Sequence, residues 1–172
     1  MSQRNSIKLR AIEPEDLELL YTIENDTDMW DISSAKLNYS RYALKQYIAQ
    51  QPQEIAVCGE MRLIVTDSHT GKAVGIADLT NYSPADRSAE IGITVLKSER
   101  EKGYARAAIE ELERYAKNYL NIRMLYAHTS ADNNPAAKKL FLASGYKDVA
   151  TLPEWHFFRG KYENLTVFQK KI

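Results

Sequence analysis

Apolar and polar residues alternate along Ile7-Lys-Leu-Arg-Ala-Ile12, which predicts a first strand. Glu13-Pro14-Glu15-Asp16 then predicts a helix start, because proline suits a first turn and acids suit the positive end of the helix dipole. Leu17, Leu20 and Tyr21 give that helix an apolar face. A second helix is predicted from Arg41 to about Gln51, ahead of Pro52. Strands over Glu60–Thr66 and Lys72–Leu79 follow, joined by a turn at Ser68-His-Thr-Gly71. After a turn at Ser83-Pro84-Ala-Asp-Arg87, apolar residues at 89, 91, 93 and 95 predict a strand.

The period then changes. Ala105, Ala108, Ile109, Leu112, Tyr115, Ala116 and Tyr119 share one face of a helix over 104–119. Arg123–Thr129 reads as a short buried strand. Asn134 suits a helix N-cap, Pro135 a first helical residue, and Gly145 the left-handed residue after the helix end. A closing hairpin is predicted over Glu154–Phe158 and Tyr162–Gln169, turning at Arg159-Gly160-Lys161.

Between the strand at 89–95 and the helix at 104 lies Lys97-Ser-Glu-Arg-Glu-Lys-Gly103-Tyr-Ala-Arg106. The first turn of a helix leaves N–H groups unpaired and carries partial positive charge, so it accepts an anion. Gly103 lets a ligand come close to the backbone, and Arg100, Lys102 and Arg106 add cations. The segment is neither a Walker A loop nor a Gly-x-Gly-x-x-Gly fingerprint, and one glycine before a helix is equally an ordinary turn.

Composition narrows the class. The chain has 172 residues, 44% of them hydrophobic and 27% charged, which fits one globular domain over 1–172. Lys plus Arg equals Asp plus Glu at 23 each, which argues against a nucleic-acid partner. The single Cys58 excludes an internal disulfide framework and fits a reducing, cytoplasmic setting. Neither a signal peptide nor a membrane span is expected. Neither His128 nor His156 sits in a metal-ligand spacing, so no metal is expected.

Two motifs carry a family resemblance. Arg100-Glu-Lys-Gly103-Tyr-Ala105 is similar to the [Gln/Arg]-x-x-Gly-x-[Gly/Ala] loop of the GNAT (GCN5-related) N-acetyltransferases. Asn134-x-x-Ala137-x-x-Leu140-Phe141-x-x-x-Gly145-Tyr146 resembles that family's second motif, Asn-x-x-Ala-x-x-Leu-Tyr-x-x-x-Gly-Phe. The chain looks most like the branch of bacterial spermidine/spermine and ribosomal-protein N-terminal acetyltransferases. The opening Ile7–Leu17 and the Phe157–Tyr162 hairpin support that branch.

The resemblance implies an α/β (α+β) GNAT fold. Such a fold has a mixed, mostly antiparallel sheet of about seven strands and four helices, with a V-shaped splay between the strands at 89–95 and 123–129. It implies acetyl-CoA (coenzyme A) as donor. Family contacts carry over to Ile93, Thr94 and Val95 for the pantetheine arm, to Arg100, Glu101, Lys102, Gly103, Tyr104, Ala105 and Arg106 for the pyrophosphate, and to Asn134 near the thioester. It also implies that Glu90 is an acidic group at the acceptor site, as base or as acceptor ligand; otherwise it is an exposed strand glutamate. Asp78 is a second candidate.

The expected chemistry is acyl transfer to a primary amine, which must first lose a proton because an alkyl ammonium has a pKa near ~10. Cys58 has no acid–base partner nearby in sequence, so direct attack through a tetrahedral intermediate is expected rather than an acyl-enzyme. The chain departs from the family at Phe141, where a tyrosine would protonate the leaving thiolate. The thiolate leaves unassisted, or Tyr146, Tyr126 or Ser144 assists, or the chain binds CoA and turns over poorly. Glu24, Asp26, Asp28 and Asp31 offer an acidic lip suited to a polyamine first and a peptide N-terminus second. Trp30, Tyr82, Trp155 and His156 are candidate pocket aromatics. Edge pairing of the closing hairpin would give a homodimer.

Overall fold

A computed structural model of the chain describes residues 6–29, 38–51, 54–130 and 134–172. Its strands are β1 (Ile7–Arg10), β2 (Met61–Asp67), β3 (Ala73–Ser83), β4 (Ser88–Val95), β5 (Met124–Ser130), β6 (Lys147–Phe158) and β7 (Lys161–Lys171). Its α-helices are α1 (Leu17–Glu24), α2 (Arg41–Ala49), α3 (Ile55–Cys58), α4 (Tyr104–Leu120) and α5 (Pro135–Ala143). The strands form one sheet in the order β1-β2-β3-β4-β5-β7-β6. All neighbours run antiparallel except β4 and β5. This is the mixed, mostly antiparallel sheet of an α/β fold that the family resemblance implies.

The one parallel pair needs a crossover, and α4 supplies it. That pair is short: Ser88, Ala89 and Glu90 align with Met124, Leu125 and Tyr126. Beyond Glu90, β5 no longer pairs with β4 among the described residues, and the two strands splay apart.

Side chains alternate across the sheet and make a core on each face. Val65, Ala77, Leu79 and Ile91 join α4 residues Ala108, Ile109, Leu112 and Ala116 in the larger core. Ile64 and Ile76, paired across β2 and β3, turn the other way and meet Leu20 and Ile23 of α1 and Leu44 of α2. Full burial of each Leu or Ile contributes about 1.5–3 kcal/mol. The caps are local. Ser40 Oγ accepts from the Ala43 amide at 3.1 Å, and Asn134 Oδ1 accepts from the Ala137 amide at 3.1 Å. Gly145 follows α5 at φ +86°.

Three expectations need correction. There are five α-helices among the described residues, not four, because Ile55–Cys58 makes one turn and stops at Gly59, φ +75°. The closing hairpin begins at Lys147 rather than Glu154. Two register shifts, at Asp148/Ala150 and Leu152/His156, and its exposed residues blur the alternation that marks a strand. Strand β3 runs on to Ser83, four residues past the expected end at Leu79. Trp30 and Asp31 lie outside the described residues.

Candidate active site

The loop before α4 presents main chain rather than side chains. Glu101 and Gly103 both hold positive φ, +62° and +84°. A Cβ at Gly103 would meet nothing within 4 Å, so the conformation, not space, calls for glycine there. The first intrahelical bond of α4 runs from the Ala107 amide to the Gly103 carbonyl, 3.2 Å. The amides of Tyr104, Ala105 and Arg106 are therefore the ones the first turn leaves without an intrahelical acceptor. The cations are engaged elsewhere. Lys102 and Lys72 both bind the buried Glu99 carboxylate, at 2.8 and 2.5 Å, and hold its pKa below the usual range. Arg106 pairs with Glu110 at 3.1 Å, and Arg100 Nε reaches the Val95 carbonyl at 3.4 Å. Tyr104 turns its ring inward and donates to Asp67 at 2.6 Å. That bond, with burial, pushes its phenol up to about 12.

The splay next to this loop exposes the inner edge of β4. The Leu96 amide bonds to the Val74 carbonyl on the β3 side at 2.9 Å. Main-chain groups alternate along an antiparallel pair, so Thr94 and Gly92 also face β3. Ile91, Ile93 and Val95 face the side where β5 has moved away. Of the three expected pantetheine contacts, Ile93 and Val95 thus present main chain to the splay, and Thr94 does not.

A cavity of about 520 Å³ opens from the splay, bounded by β2, β3, β4, β5, α1 and α5. One wall is an ion cluster. Arg62 bonds Asp78 twice, at 2.7 and 3.0 Å, and Glu24 at 2.6 Å. Burial works against the Arg62 charge, but the two carboxylates outweigh it and raise its pKa. A second group lies further along the same sheet face. His128 Nδ1 lies 2.6 Å from Glu90 Oε1, and Asn81 Nδ2 donates to Glu90 Oε2 at 2.8 Å. The hydrogen bond to Glu90 raises the His128 pKa despite partial burial. Asn134, which caps α5, and Ala137, Leu140 and Phe141 of that helix also line the cavity.

A family model described as an acetyltransferase (GNAT) domain matches residues 6–147. The chain belongs to the GNAT acetyltransferases. Among curated relatives, spermidine N(1)-acetyltransferase of Vibrio cholerae is 26% identical over 161 residues, covering 94% of this chain and 90% of that protein. The Escherichia coli spermidine N(1)-acetyltransferase is 23% identical, covering 98% and 89%. The crystal structure of the Vibrio cholerae spermidine N-acetyltransferase in complex with CoA and spermine superposes with a TM-score of 0.85 at 25% identity, covering 96% of this chain and 95% of that one. A dodecameric structure of the Vibrio cholerae protein superposes with a TM-score of 0.79.

In this GNAT acetyltransferase the family tyrosine position holds a core residue. Phe141 is 6% exposed, stacks on Phe168 at 5.8 Å between centroids and meets Tyr146 edge-on at 5.2 Å. Tyr146 and Ser144, two candidate substitutes for the tyrosine, do not line the cavity. Tyr126 sits beside Glu90 in the register, half-buried. Of the candidate aromatics, Tyr82 packs on the core, Trp155 is 67% exposed and His156 stacks on Phe158. None of the three lines the cavity. Of the acidic lip, Glu24 reaches the cavity while Asp26 and Asp28 bind Lys97, each at 2.9 Å. Three site groups escaped sequence reasoning: His128, Asn81 and Arg62. His128 stands two residues beyond Tyr126, which the parallel register sets beside Glu90, and only that register reveals the neighbourhood.

Proposed function

We propose that this GNAT acetyltransferase moves an acetyl group from acetyl-CoA to a primary amine of a polyamine-like cation. The carrying observation is the charge of the cavity. Among the described residues, Glu24, Glu60, Asp78 and Glu90 line it against a single guanidinium, Arg62, with His128 beside them. Such a wall attracts a polycation and steers it inward.

The chain's residues fit acetyl-CoA. The first-turn amides at Tyr104–Arg106, with Arg100–Gly103 leading into them, suit a pyrophosphate. The inward main-chain groups of Ile93 and Val95 suit the amides of a pantetheine arm, with Thr94 between them. Asn134 lies at the cavity end of that path. Acetyl-CoA supplies an activated acyl carbon; the chain orients it, gathers the amine and handles protons. Residues 1–172 act as one domain in this reading. The lone Cys58, a free thiol, suits a cytoplasmic setting.

The test is thiol release from acetyl-CoA with spermidine, spermine, short diamines and N-terminal peptides. Release with the polyamines supports the reading, and release with peptides alone replaces the acceptor. A second reading rests on Phe141: CoA raises the melting temperature, and no amine releases thiol. For assembly, the edge hairpin exposes Trp155, Phe157 and Tyr162 at 67%, 50% and 67%. We take it as a self-association face; light scattering of Trp155→Ser, expected to give a smaller particle, checks it.

A further inference from the structure

We propose that His128, oriented by Glu90, is the group that takes the proton from the acceptor amine. The inference rests on the acetyl-transfer reading above and adds a residue and a role to it.

Glu90 is poorly placed to do this itself. Both of its oxygens already accept, one from His128 Nδ1 and one from Asn81 Nδ2. Its side chain is 15% exposed, whereas that of His128 is 43% exposed and borders the same cavity. With Nδ1–H donated to the carboxylate, the neutral imidazole holds its lone pair on Nε2. A carboxylate behind one nitrogen fixes the tautomer and stabilises the imidazolium that forms.

The groups around His128 agree with this. Glu90 faces it from β4, and Tyr126 precedes it by two residues on β5. Its partner on β7 is Val167, which carries no charge. Elsewhere on the cavity wall, Asp78 and Glu24 are both tied to Arg62, while Glu60 is exposed. Phe141 contributes no hydroxyl, so among the described lining residues His128 is the side chain that can carry a proton near neutral pH.

The step balances. The ammonium gives one proton to Nε2, and the freed nitrogen lone pair forms the C–N bond to the acetyl carbon. The C–S bond breaks and its electrons stay on sulfur. The nitrogen sheds a second proton. One of the two protons passes from the imidazolium to the thiolate, and the other goes to water, leaving an amide, a free thiol and one proton.

Two measurements on the full-length protein test it. The first is the pH profile of polyamine-dependent thiol release for wild type, His128→Gln and Glu90→Gln. The second is the NMR titration of His128 in the protein alone. His128→Gln should lower kcat about 100-fold or more, with KM for acetyl-CoA little changed. A base must be neutral, so the wild-type rate should fall as pH drops through a pKa above the usual ~6.5. Glu90→Gln keeps a hydrogen-bonding partner but removes the charge. It should move both the acid limb and the NMR titration to lower pH together. An active His128→Gln with the wild-type limb overturns the proposal, as does a Glu90→Gln limb that stays in place. Wild-type protein that releases no thiol with any amine overturns the acetyl-transfer reading, and this proposal with it.

Discussion

The Tyr104 hydroxyl donates to Asp67 Oδ2 at 2.6 Å, joining the first residue of α4 to the last residue of β2. Asp67 Oδ1 accepts the amides of His69 and Thr70 at 2.9 and 2.8 Å. One buried carboxylate therefore ties the β2–β3 turn to the start of the helix that presents the loop amides. Tyr104, an expected cofactor residue, keeps its backbone N–H outside the intrahelical ladder, while its side chain holds the loop in place.

Tyr104→Phe removes the largest influence that keeps the Asp67 carboxyl well below the usual carboxylate range. A depressed pKa stabilises the fold above the unfolded value, near ~3.9, and that stability is lost as pH falls through the folded value. The variant should melt earlier than wild type at pH 7, and the gap should close as the pH falls below about 4. Thermal melts across that range check it.

Gly103→Ala tests the loop without crowding it, since a Cβ there meets nothing within 4 Å. The left-handed backbone at φ +84° should cost about 1–2 kcal/mol or relax to another conformation. KM for acetyl-CoA should rise more than kcat falls. Gly75→Ala is the contrast: its Cβ would lie 2.2 Å from the Thr94 carbonyl oxygen, so β3 and β4 must separate and the protein should fail to fold.

Asp78→Asn leaves Arg62 with Glu24 alone. Breaking a buried ion pair costs about 3–5 kcal/mol. Here Arg62 and Asp78 are 23% and 18% exposed, so about 1–3 kcal/mol is expected from urea unfolding. The spermidine KM should rise as well, because one carboxylate of the cavity is gone.

Phe141→Tyr preserves the ring contacts and adds a hydroxyl at the cavity wall. It should raise kcat if protonation of the thiolate limits the rate; an unchanged kcat removes acid assistance as the limiting step. Phe141→Ala should cost about 3–5 kcal/mol, because the ring fills the space between Phe168 and Tyr146. Urea unfolding separates the two effects.

The parts of this fold written in local signals were legible. Asn134, Pro135 and Gly145 each mark α5 by their own backbone preferences, and the α4 face follows from its period. The parts that depend on distant pairing were not. Lys102 sits in the glycine loop, yet its charge is spent on a glutamate that also holds Lys72, 27 residues before Glu99. His128 meets Glu90 only because β5 enters parallel to β4 for three residues and then departs. Arg62 and Asp78 face each other by the β2–β3 register. The last two contacts cross a strand pair, a relation that a single strand's alternation does not encode.

The departure of β5 leaves a seam inside the sheet. Ile91, Ile93 and Val95 direct peptide groups into it, and an unpaired strand edge invites whatever extended amide chain reaches it. A thioester donor with its own amides would serve as a removable strand, stitched in before catalysis and drawn out afterwards. Stability then becomes a reading of donor supply: a hundredfold excess over Kd adds about 2.7 kcal/mol to folding. In cells short of donor the protein would lose activity and also become easier to unfold and degrade, so its abundance would follow the metabolite it consumes.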